Sequence, residues 1–153
     1  MTKSTVIASA ALGFFLASAV VASNSLALTG PGSIRVTDKL VKHIYVDHGS
    51  PGRGAGDLDF YRGQLFNKGI TPTAIGHSDI TCTNTGTGSM NCTGTYFLPK
   101  GKIMVGGVIA SRLFYLLAVF GGTGLYDNAR GSLTATFLGG LPPKEFLLFR
   151  LII

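Results

Sequence analysis

GGTGLYDNARGSLTATF, residues 121–137, sets three glycines within four positions ahead of a Thr-rich alternating run. A phosphate-binding loop needs backbone N–H groups at the start of a helix, usually with a Lys and a Ser/Thr. No Lys and no helical pattern follow Gly124, and a strand pattern begins within a few residues. The dinucleotide spacing also fails: Gly122 and Gly124 fit its start, but Asp127 stands where the third glycine belongs. The Gly-rich GSPGRGAG from Gly49 likewise runs into a strand, so nucleotide binding is not supported. The glycines read instead as a corner, where glycine permits positive φ and close backbone approach. Asp127 and Asn128 suit the turn, and Gly131 ends it.

Working outward, the pattern is strand after strand. KLVKHIYVDH alternates, with Leu40, Lys42, Ile44 and Val46 against Val41, His43, Tyr45 and Asp47. LDFYRGQLFN, TAIGHSDITCT, CTGTYFL, KIMVGGVIA, RLFYLLAVF, SLTATFL and EFLLFRLII follow, separated by turn residues. No period-3.6 segment is long enough for a crossover helix, so the short connections predict antiparallel neighbours. The runs from Ile103, Leu113 and Phe146 are apolar on both faces. That predicts an all-β, eight-stranded antiparallel barrel with a filled or ligand-holding interior, its outer face partly covered by other subunits.

The N-terminus has its own pattern. Lys3 precedes a 17-residue apolar run, Val6–Ala22, and a small-x-small site ends at Ala27. This is the layout of a secretory signal peptide over residues 1–27, cleaved after Ala27 or alternatively after Ala22. The run is short and weakly hydrophobic for a membrane span. The expected location is therefore secreted or extracellular, with periplasm or cell wall as variants, and without stable membrane insertion. Residues 28–38 read as an N-terminal extension and residues 39–153 as the barrel. Cys82 and Cys92 flank the turn-rich TNTGTGSMN, so an exported chain would join them as a disulfide across a hairpin. The net charge of +6 is scattered singly, with no basic run, so no nucleic-acid partner is expected.

The opening stretch, with its Gly-Gly-Thr-Gly, aromatic, Ala-Arg-Gly order, resembles the signature of the allene oxide cyclase and dirigent superfamily. GDLDFYRGQLFN, TAIGHSDITC and LPKGKIMVGG resemble further family segments in the same order, so the likeness spans roughly Lys39 to Ile153. The resemblance implies an eight-stranded barrel with a hydrophobic cavity, usually trimeric. It also implies Gly121, Gly122, Gly124, Arg130 and Gly131 as structural motif residues, Arg130 tying down the corner.

The resemblance implies site residues as well. Family cyclases use an acidic residue on the first strand, for which Asp47 and, less well aligned, His43 are the candidates here. Ser50 and Pro51 match a Ser-Pro pair that helps hold a pocket water. The family's pocket aromatic matches Tyr61, its pocket Asn falls on Gly63, and its pocket Cys falls on Ser78. Asp47, Tyr61 and Ser78 are thus the expected catalytic positions, with Ser50 and Pro51 on the ligand. His77 lies on the other face of its strand from Ser78. His43, Asp47 and His48 form one short span without a second ligand cluster, so no metal is expected, and no cofactor motif is present. Arg112 and Arg150 sit on otherwise apolar strands, where a charge needs a partner, an interface or solvent.

The resulting expectation is a barrel that holds a small hydrophobic intermediate and steers its cyclisation, isomerisation or coupling, as an isomerase of allene oxide cyclase type or a dirigent-like guide. The alternatives are a non-catalytic carrier of a hydrophobic metabolite and a structural secreted protein with a filled interior.

Overall fold

The structure is a computed structural model that describes residues 32–67 and 72–152. The signal segment, and the extension as far as residue 31, lie outside the described residues. The described chain has eight strands: β1 (Gly32–Val46), β2 (Leu58–Asn67), β3 (Gly76–Asn84), β4 (Met90–Leu98), β5 (Gly101–Ile109), β6 (Phe114–Gly124), β7 (Arg130–Gly139) and β8 (Lys144–Ile152). Each pairs antiparallel with the next, and β8 returns to β1 to close the barrel.

The barrel begins earlier than alternation suggested. Gly32–Asp38, read above as an extension, is the first half of β1 and pairs with β8 from Gly32↔Leu151 to Asp38↔Glu145. Ile34, Val36 and Leu40 share a face with Asp38, and that acid breaks the apolar pattern which would have marked the strand. A second departure follows at once. The β1–β2 register shifts between Leu40 and Lys42, a bulge that gives β1 one extra residue. Asp38 and Leu40 face inward before it, and His43 and Tyr45 face inward after it, opposite Tyr61 and Asp59. The face of Leu40 therefore continues through His43, not through Lys42 and Ile44.

The up-and-down order puts the β1–β2, β3–β4, β5–β6 and β7–β8 connections at one end of the barrel. The other end is filled. Leu65, Ile103, Leu133, Leu147 and Phe149 are fully buried there, and Tyr96 meets Phe149 edge-on at 5.1 Å. Gly121, Gly122 and Gly124 lie in the last turn of β6 against β5, and the corner itself is Leu125–Ala129. A Cβ on Gly122 would run into the Tyr126 carbonyl oxygen and stand 2.7 Å from that of Lys102. The glycines thus let three backbones meet, which no phosphate loop requires. Arg130 donates to the Ala129 carbonyl at 2.9 Å.

Cys82 and Cys92 are direct cross-strand partners on β3 and β4, and they form a disulfide buried in the barrel wall. Their bond closes a short loop and removes disorder from the unfolded chain. Replacing both by alanine should lower the unfolding free energy by roughly 2–3 kcal/mol. Urea unfolding followed by far-UV circular dichroism checks this, with the folded spectrum unchanged.

Candidate functional site

The end opposite the filled core holds a cavity of about 270 Å³. Apolar side chains make most of its wall, among them Leu40, Ile80, Met90, Ile109 and Phe137. Its volume is near the lower edge of ordinary ligand pockets, about 300–1,000 Å³, so it has room for a small molecule only.

Two carboxyl groups break the apolar lining. Asp38 on β1 and Glu145 on β8 are direct partners across the closing strand pair, and both line the cavity. Each is held by one hydroxyl: Ser78 Oγ donates to Asp38 Oδ2 at 2.5 Å, and Tyr115 Oη donates to Glu145 Oε2 at 2.6 Å. Asp38 Oδ1 is the only buried side-chain polar atom among the described residues without a hydrogen-bond partner. It occupies the space beside Gly63, where a Cβ would run into it and stand 2.7 Å from Ser78 Oγ. The lack of a side chain at Gly63 thus leaves the room that the Asp38 carboxyl fills.

Burial pushes the Asp38 carboxyl up to about 7; the Ser78 hydrogen bond pulls it down and neighbouring Glu145 adds to the rise. Burial also raises Glu145, against the pull of the Tyr115 hydrogen bond and the Arg112 charge. Tyr115 is raised by burial and then by Glu145, so it remains a proton donor.

The mouth is polar. Asp59 is fully buried and accepts from His43 Nε2 at 2.6 Å and from both Arg53 terminal nitrogens at 3.1 and 3.2 Å. Burial alone would raise it, but the Arg53 and His43 contacts hold it below the usual carboxylate range. The His43 ring stacks on Tyr61 at 4.6 Å. Arg112, just before β6, reaches the strand opposite: it donates to Tyr61 Oη and lies 4.9 Å from that ring's centre.

Of the residues expected at the site, Tyr61 and Ser78 line the cavity. Asp47, Ser50 and Pro51 do not. They lie in the exposed β1–β2 loop, where Asp47 accepts from the Gly52 backbone at 2.9 Å. β1 ends at Val46, so Asp47 leaves the wall before it can point inward. The first-strand acid at the cavity is Asp38, nine residues earlier. The loop itself is pinned by buried Asp57, which accepts from Tyr45 Oη and from the backbone of His48 and Gly54. His77 lies on the outer face, stacked on Phe97.

Asp38, Glu145 and Tyr115 were not expected. One signal existed for the acids. Ile34, Val36, Asp38 and Leu40 share a face, as do Glu145, Leu147, Phe149 and Leu151, and an acid in step with an apolar face points into the core.

The barrel fold has known counterparts. A pyocyanin demethylase matches with a TM-score of 0.66 at 26% identity, covering 76% of this chain and 98% of that one. A pterocarpan synthase dirigent protein matches with a TM-score of 0.64 at 14% identity, covering 80% of this chain and 94% of that one. The chain has the allene oxide cyclase and dirigent barrel fold. The Diels Alderase AbmU from Streptomyces koyangensis shares this dirigent-type barrel, with a TM-score of 0.59 at 14% identity over 79% of this chain and 69% of that one. No family model and no curated protein sequence matches the chain.

The raised Asp38 gives a stability prediction with a definite sign. Its folded-state value lies above its unfolded value, so its stabilising contribution is full below about pH 4 and is lost as pH rises through about 7. Asp38→Asn keeps a neutral group at every pH. The variant should therefore gain on the wild type by a few kcal/mol between pH 4 and pH 8. Urea titrations of both proteins at a series of pH values check this; a pH-independent difference would mean that Asp38 titrates normally.

Proposed function

We propose that the barrel takes one small, largely apolar molecule into its cavity and steers a cyclisation or isomerisation of it by moving protons between guest and the Asp38–Glu145 pair. The observation that carries this reading is two facing, hydroxyl-held carboxyl groups in a largely apolar cavity, one with an unpartnered oxygen. Burial raises both carboxyls and the Glu145 charge adds to the rise at Asp38, so double ionisation of the pair is disfavoured. The ionised member can take a proton from the guest while the protonated member gives one to another atom of it. The pair then ends with the proton count it began with, so a redox-neutral rearrangement closes its own cycle. The cavity walls select one folded shape of the guest and keep water from competing. Tyr115 and Ser78 keep each carboxyl in place.

The named neighbours, a demethylase, a pterocarpan synthase and a Diels Alderase, support the use of such a barrel on small organic molecules. A plain carrier has no need of a buried acid pair, whose retention costs stability near neutral pH. The interior is hollow at one end, which a purely structural barrel does not require.

The setting of this activity is also a proposal: an exported homotrimer. The signal layout of residues 1–27 and the buried disulfide support export. The outward Phe114, Leu116 and Phe120 of β6 are exposed, which supports burial against further copies.

Native mass spectrometry of the purified protein, followed by denaturing extraction, gives the oligomer mass and any bound molecule. On a substrate identified this way, Glu145→Gln or Asp38→Asn should cut turnover by about 10²–10⁴ while affinity changes little. Full turnover in both variants would remove the proton-transfer role and leave the carrier reading.

A further inference from the structure

The cavity opens past a cation that forms no salt bridge among the described residues. Arg112 stretches across the mouth to Tyr61, and its other contact is the Met90 sulfur at 3.7 Å. Among the described residues no carboxylate forms a salt bridge with it. Arg53, by contrast, is matched by Asp59. The mouth therefore carries a guanidinium outside any salt bridge, with a phenol and a thioether as its contacts and the Glu145 carboxyl within reach of its charge.

Beyond Arg112 the cavity runs on into a groove. The two share Met90, Ile109 and Arg112 as lining. The groove passes between Arg53–Ala55 and the Gly86–Ser89 turn, so its far wall brings polar atoms of Asn84 and Ser89 and a second guanidinium. Its character is polar where the cavity is apolar.

We propose that the cavity's guest is an amphiphilic anion, whose carboxylate or similar oxyanion seats on Arg112 at the mouth and whose polar end extends into the groove beside Arg53. This rests on the cavity being the guest site, as argued above. A guanidinium presents a fork of donors that fits an oxyanion, and charge-assisted hydrogen bonds are roughly twice as strong as neutral ones. Arg112 can turn its donors to the guest and stay against the Tyr61 ring, on which His43 also stacks. The opposite end of the cavity enforces the same orientation. An anion pushed inward would meet Asp38 and Glu145, whereas the mouth offers it a cation. The apolar body is thereby fixed with one end at the carboxyl pair.

Decanoate and decanol share a chain and differ in charge. Titration calorimetry at neutral pH compares them on the wild type, Arg112→Gln and Lys102→Gln, the last removing a charge from the outer wall. The wild type should bind one decanoate roughly tenfold more tightly than decanol. Arg112→Gln should abolish that preference while decanol affinity stays within about twofold, and Lys102→Gln should keep it. Equal wild-type affinities, or an equal loss in Lys102→Gln, would overturn the anion site while decanol binding sustains the cavity. Failure of both probes to bind would overturn both readings.

Discussion

Closing eight strands on themselves fixes the width of the interior, and side chains must then fill it or leave it open. Here large residues fill one half and a glycine, a serine and two acids line the other. The closing pair, β1 with β8, joins the first strand to the last and brings Asp38 opposite Glu145. Without closure those carboxyls would stand on opposite edges of an open sheet, each hydrated and each acidic in the ordinary way. The chemistry of the cavity is thus a product of the ring itself.

The same closure makes the bulge in β1 consequential. One extra residue after Leu40 changes which parity faces inward. It carries His43 and Tyr45 to the inner side, where they join Asp59 and Tyr61 in a polar collar above an apolar wall. A collar of this kind needs buried acids with matched donors, and Asp57 and Asp59 each have three hydrogen bonds from their surroundings. The rim is held by these bonds, not by apolar packing, so polar order at the mouth and apolar order below it are separate achievements of the sequence.

Most of the barrel could be read from alternation. Eight strand segments, their antiparallel order and the cross-strand cysteines all follow from period-two patterns and turn residues. The glycine run marked the β6–β7 corner because only glycine tolerates three backbones so close. The site was less legible. Alternation cannot locate a bulge when both faces of a strand carry apolar residues, as in LVKHIYV. Asp38 stands where the apolar face of Ile34, Val36 and Leu40 calls for an apolar residue, so the alternation looked broken and the nearest acid in the matching segment, Asp47, took its place in the reading. Glu145 gains its meaning only from a partner at the far end of the chain, which no local pattern supplies. Tyr61 and Ser78 were found because they lie within well-matched strands whose register is undisturbed.

Gly32 pairs with Leu151 at the filled end, so the chain enters and leaves the barrel on the side away from the opening. Anything joined to either end attaches to the base of the cup. Anchored to a solid support or to a fusion partner through that base, the molecule would present its rim to the surrounding solution, and exchange of small molecules would proceed unobstructed.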